Sequence, residues 1–317
     1  MIEPTGAVAT FADVEAAAER IAGHVHRTPV MTSATLDREL GASIFFKCEN
    51  LQKIGAFKAR GATNAVFSLS EEECARGVIT HSSGNHGAAV AFAAAKRSAP
   101  CTVVMPEHGS EIKARAIEGY GAEIRRCAEG QRQPATDEII AATGATFIHP
   151  FEDPRVIAGQ GTAALELLED VSALDAVITP VGGGGLLSGT TLTVAELCPD
   201  AKVFGAEPTA VDDAYRSLRD GTRHPGVKNP QTICDGLLTG LGESTFAILR
   251  ANGVEVVCVD DSEVVAACRF HLERMKLVVE PSGATCLAAL RKLGDRIRGL
   301  RIGAIITGGN TDLAWLT

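Results

Sequence analysis

Short apolar runs alternate along the chain with longer segments that repeat hydrophobic residues at helical spacing. The runs are mostly continuous and rich in β-branched residues, as expected for strands covered on both faces. They predict strands at residues 43–48, 78–81, 102–105, 122–125, 146–148, 176–179, 202–206, 255–259 and 302–306. Alanine- and leucine-rich segments predict helices at residues 59–67, 88–96, 111–118, 137–142, 162–168, 187–197, 263–277 and 284–293. This alternation predicts an α/β fold with parallel sheets.

Helix start signals support some of these elements. Thr10 and Asp13 have the spacing of a capping box, and Asp261 or Ser262 is placed to cap the helix that begins near residue 263. Residues 216–231 are rich in glycine, proline and charge, so we interpret them as a surface excursion.

Length and composition narrow the class of protein. The 317 residues suffice for one large or two ordinary domains, and 45% hydrophobic residues allow a sizeable core. A net charge of −9 disfavours binding to nucleic acid. The nine cysteines form no CxxC pair, which is typical of reduced thiols in a cytoplasmic protein. We find neither a signal peptide nor an apolar stretch near the roughly 18 residues that span a bilayer, so we expect no membrane association.

Lys58 is preceded by apolar Ile54, Ala56 and Phe57. A lysine that attacks an aldehyde must be neutral, and desolvation by such neighbours favours the neutral amine. Taken alone, this local pattern is better explained by a solvated lysine at a helix start. Lys58 is therefore a candidate whose assignment depends on the rest of the chain.

The turn at residues 81–87 (HSSGNHG) follows a predicted strand and opens an alanine-rich helix. Free N–H groups and the helix dipole make such a helix start an anion site. A substrate carboxylate or a phenolate oxygen would suit it. A well-capped turn between a strand and a helix remains the alternative interpretation.

Two further turns carry glycines between or after strands. The run Gly182–Gly185 is costly in backbone entropy, which is understandable where several N–H groups wrap one phosphate. It lacks the Lys-Ser/Thr of a nucleotide P-loop, and no GxGxxG is present, so a small monophosphate fits better than the dinucleotide of an oxidoreductase. Thr307 follows the last strand, where its hydroxyl could meet a ring nitrogen.

Seven segments in order along nearly the whole chain resemble one family. They are KCENLQKIGAFKARGA, THSSGNHGAAVA, HPFEDPRVIAGQGT, VGGGGLLSG, GAEPTAVDDAYRS, RMKLVVEPSGA and ITGGNTDL. The resemblance is to the fold-type II enzymes that use pyridoxal 5′-phosphate (PLP), the serine/threonine dehydratase and serine racemase family. It implies a tryptophan synthase β-like fold, in which two open twisted α/β domains hold the cofactor between them. It also implies a large domain at residues 1–68 and 153–317, a small mobile domain at residues 69–152, and a homodimer.

The resemblance assigns roles to individual residues. Lys58 forms the Schiff base with PLP, next to Phe57, while Asn85 contacts the phenolate and Thr307 faces the pyridine nitrogen. The phosphate is held by Gly182, Gly183, Gly184, Gly185 and the amide of Leu186. The substrate carboxylate is received by Ser82, Ser83, Asn85 and His86. Ser83 also matches the second acid/base of racemase-like members, on the cofactor face opposite Lys58.

A divalent metal site is also implied, with Glu207, the carbonyl of Val211 and Asp213 as ligands for Mg²⁺ or Ca²⁺. All-oxygen ligation suits a hard cation. Without the resemblance, a solvated acidic turn would be the preferred interpretation of these carboxylates. The chain departs from the family at Ala56, where serine is common. We also find no basic residue at positions 135–138, where the racemase arginine is expected; Arg132 lies close by but is not aligned.

The predicted reaction is α,β-elimination of a β-hydroxy amino acid by an L-threonine/L-serine ammonia-lyase, giving a 2-oxo acid and ammonia. The Thr307 hydroxyl is too weak an acid to protonate the ring firmly, which favours prompt elimination. The alternatives are a serine racemase and a dehydratase of 3-hydroxyaspartate or phenylserine, the former substrate needing a basic residue for its distal carboxylate. A non-catalytic PLP- or amino-acid-binding protein is disfavoured by Lys58, Ser83 and the phosphate loop.

Overall fold

A computed structural model describes residues 8–82, 84–107, 111–128 and 130–316, with the side chains of residues 111–113 left undescribed. The helices are α1 Phe11–Ile21, α2 Ala34–Leu40, α3 Lys58–Phe67, α4 Glu71–Arg76, α5 Asn85–Lys96, α6 Glu111–Glu118, α7 Arg132–Thr143, α8 Pro154–Asp170, α9 Gly185–Leu197, α10 Asp213–Asp220, α11 Glu243–Ala251, α12 Asp261–Phe270 and α13 Pro281–Leu293. The strands are β1 Val30–Met31, β2 Ser43–Cys48, β3 Val78–His81, β4 Cys101–Pro106, β5 Glu123–Cys127, β6 Thr146–Phe147, β7 Ala176–Pro180, β8 Lys202–Pro208, β9 Glu255–Val259 and β10 Arg301–Ile306.

The first compact unit comprises Met1–Val25 and Lys58–Gly159. Its four strands form a parallel sheet in the order β5-β4-β3-β6. Ile79 of β3 and Val104 of β4 are fully buried and pack with residues of α7. Because the strands are parallel, the loops that follow β3 and β6 leave the sheet at the same edge.

The second unit comprises His26–Phe57 and Gln160–Thr317. Its six-stranded sheet has the order β1-β2-β10-β7-β8-β9 and is parallel except for the short edge strand β1. Helix α13 lies against four of these strands and is almost wholly buried. The carboxyl ends of β7 and β10 lead into the two glycine turns at residues 182–185 and 307–309.

The predicted α/β fold with parallel sheets is confirmed. Residues 216–231, predicted as a surface excursion, begin within α10, which continues through Asp220 before the chain becomes irregular. The cap of α12 was also misplaced: Asp260 accepts from the Glu263 N–H, and the Glu263 side chain accepts from the Asp260 N–H. The capping box at Thr10 and Asp13 is confirmed.

A small domain at residues 69–152 that moves as a body stays a prediction. The contact grouping itself assigns α3, from Lys58 onward, to the same unit as the four-stranded sheet. Within the described ranges, no helix combines the length and the apolar character that crossing a bilayer requires.

Candidate active site

The segment that leads into Lys58 is fixed to the turn after β10. The Phe57 N–H donates to the Thr307 carbonyl at 2.9 Å, and the Asn310 side chain donates to the Ile54 carbonyl at 2.8 Å. Ile54 adopts a left-handed conformation with φ 57°, which is unusual for a β-branched residue. Since strained backbone persists only where surrounding contacts hold it, this segment is a constrained approach to Lys58.

Glycine at position 55 is required by both conformation and space. Its φ is +72°, and a β-carbon there would lie 2.5 Å from the Asn310 Oδ1. The Gly55 carbonyl also accepts from the Gly309 N–H at 3.0 Å. The two motifs that contain Gly55 and Gly309 therefore form one hydrogen-bonded element, although they lie near opposite ends of the sequence.

Lys58 begins α3, and its side chain is partly buried. Its Nζ donates to the Pro150 carbonyl at 2.8 Å. Burial of the amine end lowers the pKa of Lys58 from 10.5 to about 8. An appreciable fraction of the amine is therefore neutral near physiological pH, as a nucleophilic or proton-accepting lysine requires.

The turn after β3 leads into α5, whose N-cap residue, Gly84, has no side chain with which to cap the helix. Ser82 Oγ accepts from the Gly84 N–H at 3.2 Å, which shapes the turn, and Asn85 is the first helical residue. The helix start has no acidic residue in its first turn. These features are compatible with an anion at this end of α5. Ser83, predicted as the second acid/base, lies outside the described residues.

His86 is buried, and its ring is held by one hydrogen bond. Nε2 lies 3.1 Å from the Ile148 carbonyl, which can only accept, so Nε2 carries the proton. Burial lowers the pKa of His86 well below its usual value, and the nearby Lys58 lowers it further. The buried Nδ1 is thus an unprotonated acceptor without a partner in the described part of the chain. A carboxylate at this turn would meet His86 through its backbone N–H.

Two histidines of the first unit were missed by the sequence interpretation. Burial lowers the pKa of His149 to about 4, with smaller contributions from His81 and Lys58. Burial also lowers the pKa of His81, and the guanidinium of Arg132 adds to this effect. A cation therefore lies close to the end of β3, although it precedes the segment at residues 135–138 where a basic residue was expected. The motifs THSSGNHGAAVA and HPFEDPRVIAGQGT contain His81 and His149, respectively, and were the sequence signals for this region.

Backbone groups dominate the turn after β7, at Gly182–Gly185. The Gly183 carbonyl accepts from Thr245 Oγ1 at 2.8 Å, so the N–H of Gly184, in the same trans peptide, points the opposite way. Gly184 has φ 90°, and α9 begins at the next residue without a side-chain cap. Leu186 is the second residue of α9. This arrangement of N–H groups at a helix start suits one phosphate.

Thr307 follows directly on β10 and is 4% exposed. A β-carbon at Gly283 would lie 3.2 Å from Thr307 Oγ1, so α13 approaches the hydroxyl closely. Among the described residues, none forms a hydrogen bond with this oxygen. The hydroxyl is therefore available to a ligand atom such as a ring nitrogen.

Glu207 and Asp213 are both buried in the second unit. The Glu207 oxygens accept from the Ala214 and Tyr215 N–H groups, and Asp213 Oδ2 accepts from the Leu241 N–H. Burial raises the pKa of Glu207 to about 8, helped by the charge of Asp213, and burial also raises the pKa of Asp213. Val211, whose carbonyl is the third predicted ligand, lies between them in the sequence, in the short turn Thr209–Val211. Two buried carboxylates of this kind fit a divalent cation.

Comparison with known proteins places the chain in a family. Residues 21–308 match the family model described as pyridoxal-phosphate dependent enzyme, so the chain belongs to that family. It is 49% identical to a serine racemase of Dictyostelium discoideum over 99% of this chain and 98% of the relative. It is 46% identical to a beta-hydroxyaspartate dehydratase of Paracoccus denitrificans, over 96% and 98% of the two chains.

Solved structures agree with this assignment. The structure of the Dictyostelium serine racemase matches with a TM-score of 0.92 over 97% of this chain and 100% of that chain. The crystal structure of a T.th. threonine deaminase matches with a TM-score of 0.90 and 41% identity, over 96% and 99% of the two chains. The predicted fold-type II class and PLP dependence are confirmed.

Proposed function

We propose that this chain is an ammonia-lyase that eliminates water from a β-hydroxy amino acid, with 3-hydroxyaspartate as its preferred substrate. The observation that carries the proposal is Lys58, whose amine has a lowered pKa and a fixed hydrogen-bond acceptor. The relatives named dehydratase and racemase support an enzyme that works at the α-carbon of such substrates. The threonine/serine specificity expected from the sequence is less well matched by these relatives.

The residues present fit PLP. Lys58 would bond the PLP aldehyde beside Phe57, Asn85 would meet the phenolate and Thr307 would meet the pyridine nitrogen. The phosphate is held by Gly182, Gly183, Gly184, Gly185 and the amide of Leu186. Bound PLP supplies an electron sink that makes the substrate α-proton removable. The uncapped start of α9 and the available Thr307 hydroxyl are the structural support.

Lys58, displaced from the aldehyde by the substrate amine, would then act as the base. Its neutral amine takes the α-proton and becomes an ammonium, which gives one proton to the β-hydroxyl, so that water leaves and the amine is neutral again. The resulting enamine hydrolyses with one water, so that the net products are a 2-oxo acid and ammonia. Ser82, Ser83, Asn85 and the His86 N–H hold the substrate carboxylate during these steps. Ser83, which matches the second acid/base of racemase-like members, would return a proton when the enzyme racemises serine, which is the second candidate activity.

Arg132 is the observation that favours an acidic substrate. Its guanidinium lies near His81, at the end of the strand that leads into the carboxylate turn. Within the described ranges no carboxylate forms an ion pair with it. A 3-hydroxyaspartate side chain carries a carboxylate that such a cation would bind, whereas serine and threonine do not.

The specificity is tested with L-serine, D-serine, threonine, phenylserine and both 3-hydroxyaspartate diastereomers, assayed for 2-oxo acid, ammonia and enantiomer. A charged hydrogen bond contributes about 1.5–3 kcal/mol, so Arg132→Ala should lower kcat/KM for 3-hydroxyaspartate about 10- to 100-fold. The kcat/KM for serine elimination should change by less than about threefold, which corresponds to the loss of a minor contact at most. Arg125→Ala, which removes an exposed cation from β5, is the matched control.

If Arg132→Ala lowers kcat/KM equally for serine and for 3-hydroxyaspartate, Arg132 does not bind the distal carboxylate. No turnover of any of these substrates by the PLP-loaded chain would reject the lyase itself. It would support a non-catalytic PLP-binding protein instead.

We further propose that Glu207, the Val211 carbonyl and Asp213 hold Mg²⁺ or Ca²⁺, and that the protein is a homodimer. The burial of two carboxyl groups within one short segment supports a cation there. The cation would neutralise buried charge and fix the turn before α10. Thermal unfolding with and without a chelator, together with metal analysis, tests the site, and sedimentation tests the dimer.

A further inference from the structure

The four residues His149–Glu152 form a turn that is held by an imidazole. Nδ1 of His149 accepts from the Glu152 N–H at 2.9 Å and from the Phe151 N–H at 3.3 Å. An atom that accepts two backbone N–H groups carries no proton, so the ring proton is on Nε2. The ring is packed edge-on against Phe151 at 4.6 Å and Phe147 at 5.7 Å between centroids. Its orientation is therefore fixed from both sides.

The Pro150 carbonyl belongs to the same peptide group as the Phe151 N–H. In a trans peptide these two groups point in opposite directions. Because the N–H is directed at His149, the carbonyl is directed away from it, and there it accepts from Lys58 Nζ at 2.8 Å. Proline at position 150 restricts the backbone further, since its φ is fixed.

We propose that His149 is a positioning residue for Lys58, fixing the Pro150 carbonyl as the acceptor that holds the lysine amine whenever it is not bonded to PLP. This rests on the proposed role of Lys58. One N–H of the amine is directed at the carbonyl, which restricts Nζ to one place. The amine nitrogen is then held in one position before it meets the PLP aldehyde or a substrate α-proton.

The surroundings of His149 keep it in the required form. Burial lowers its pKa to about 4, and the neighbouring charges of His81 and Lys58 lower it as well, against an opposite effect of Asp153. The imidazole is thus neutral over the range in which the lysine amine becomes available. The same ring lies 6.3 Å from His81 between centroids, so it belongs to a cluster of aromatic side chains.

Two variants separate the hydrogen-bonding role of His149 from its bulk. In His149→Asn the side-chain oxygen can accept the N–H two residues on, as in an Asx-turn, so the turn is retained. In His149→Phe the ring volume is retained but the acceptor is lost. The first measurement is the rate at which the full-length chain, stripped of PLP, forms its Schiff base with added PLP, followed by absorbance. It does not depend on which substrate the enzyme uses.

Misplacing a reacting group by about 1 Å costs about 100-fold. We expect His149→Phe to slow Schiff-base formation about 10- to 100-fold and to lower kcat similarly, with KM changed less than about twofold. His149→Asn should stay within about threefold of the parent in both. Amide hydrogen exchange at Phe151 and Glu152 should be faster in the Phe variant and unchanged in the Asn variant.

Parent-like Schiff-base formation in His149→Phe would overturn the proposal, because the acceptor would then be dispensable. Equal impairment of His149→Asn would also overturn it and assign the role to the aromatic ring. If the Phe variant does not fold, the proposal is judged on the Asn variant alone. A parent-like rate of Schiff-base formation supports the proposal, and an impaired rate overturns it. A normal Schiff-base rate in the parent combined with no turnover of any β-hydroxy amino acid would reject the proposed function while leaving this inference intact.

Discussion

The two units use different chemical means at the residues proposed to bind PLP. Around Lys58, the first unit presents titratable side chains whose pKa values are lowered mainly by burial: the lysine and three histidines. At Gly182–Gly185, the second unit presents backbone N–H groups whose direction is set by φ and by hydrogen bonds to the backbone. Proton transfer needs groups that change charge, whereas phosphate binding needs donors that do not. The division follows from these different requirements.

The buried histidines of the two units also differ in their hydrogen-bond partners. His86 and His149 each have a ring nitrogen bonded to backbone, and both are neutral by burial. In the second unit His271 is fully buried, and neither of its nitrogens has a partner in the described part of the chain. Burial lowers its pKa to about 3. We therefore expect histidines of the first unit to affect chemistry and His271 to affect stability alone.

The largest effect is expected from Lys58→Ala. Without the amine neither the bond to PLP nor the proton transfer is possible, so turnover should fall more than about 1000-fold. The absorbance of bound PLP and the release of 2-oxo acid are the measurements. Lys53→Ala removes a lysine five positions earlier and should leave both unchanged. Retention of turnover by Lys58→Ala would remove the chemical distinction between the two units.

A smaller effect is expected from Gly184→Ala. Its φ of 90° is unfavourable for alanine, and the new β-carbon would lie 2.7 Å from Leu241 Cδ1 and 2.8 Å from Thr245 Cβ. Strain and overpacking together should cost about 3 kcal/mol in the free energy of unfolding. Affinity for PLP should fall as well, because the N–H groups of the turn would be displaced.

Gly253→Ala is the matched control for this prediction. Its φ is +63°, and a β-carbon there would meet nothing within 4 Å, so only strain of about 1 kcal/mol is expected. Chemical denaturation and PLP titration of both variants measure the difference. Equal costs at the two positions would mean that packing around the glycine turn is loose.

The smallest effect is expected from His271→Phe, and only in acid. The unfolded chain binds a proton at this residue below about pH 6.5, whereas the folded chain does so only near pH 3, so stability falls as pH falls between these values. At pH 5 the wild-type penalty should be about 2 kcal/mol, and the variant should lose it. At neutral pH His271 is largely unprotonated in both the folded and the unfolded chain, so this pH-dependent loss of stability vanishes.

Denaturation at pH 7 and pH 5 tests this, with His26→Phe at an exposed position as the control. If the free energy of unfolding of His271→Phe changes between pH 7 and pH 5 as much as that of the parent, the acid sensitivity arises elsewhere, for example from the histidines around Lys58.

Long periodic segments could be predicted from the sequence, and short ones could not. Strands β2, β3 and β9 were predicted to the residue because each is a continuous apolar run ended by polar or turn residues. The two-residue strand β1 carries no periodic pattern, and it exists because β2 offers an unpaired edge. Helices α2, α4, α10 and α11 were missed, since they are short and mostly half-exposed.

By itself the sequence determined the α/β class, the PLP family and the residues that match the family motifs, because apolar periodicity and ordered motifs are local properties of the chain. Only the tertiary structure decided which groups surround Lys58. The Pro150 carbonyl is a backbone atom 92 positions away, and no side-chain pattern marks it. The protonation of His86 and His149 was also decided there, since a pKa depends on burial and on partners that folding supplies.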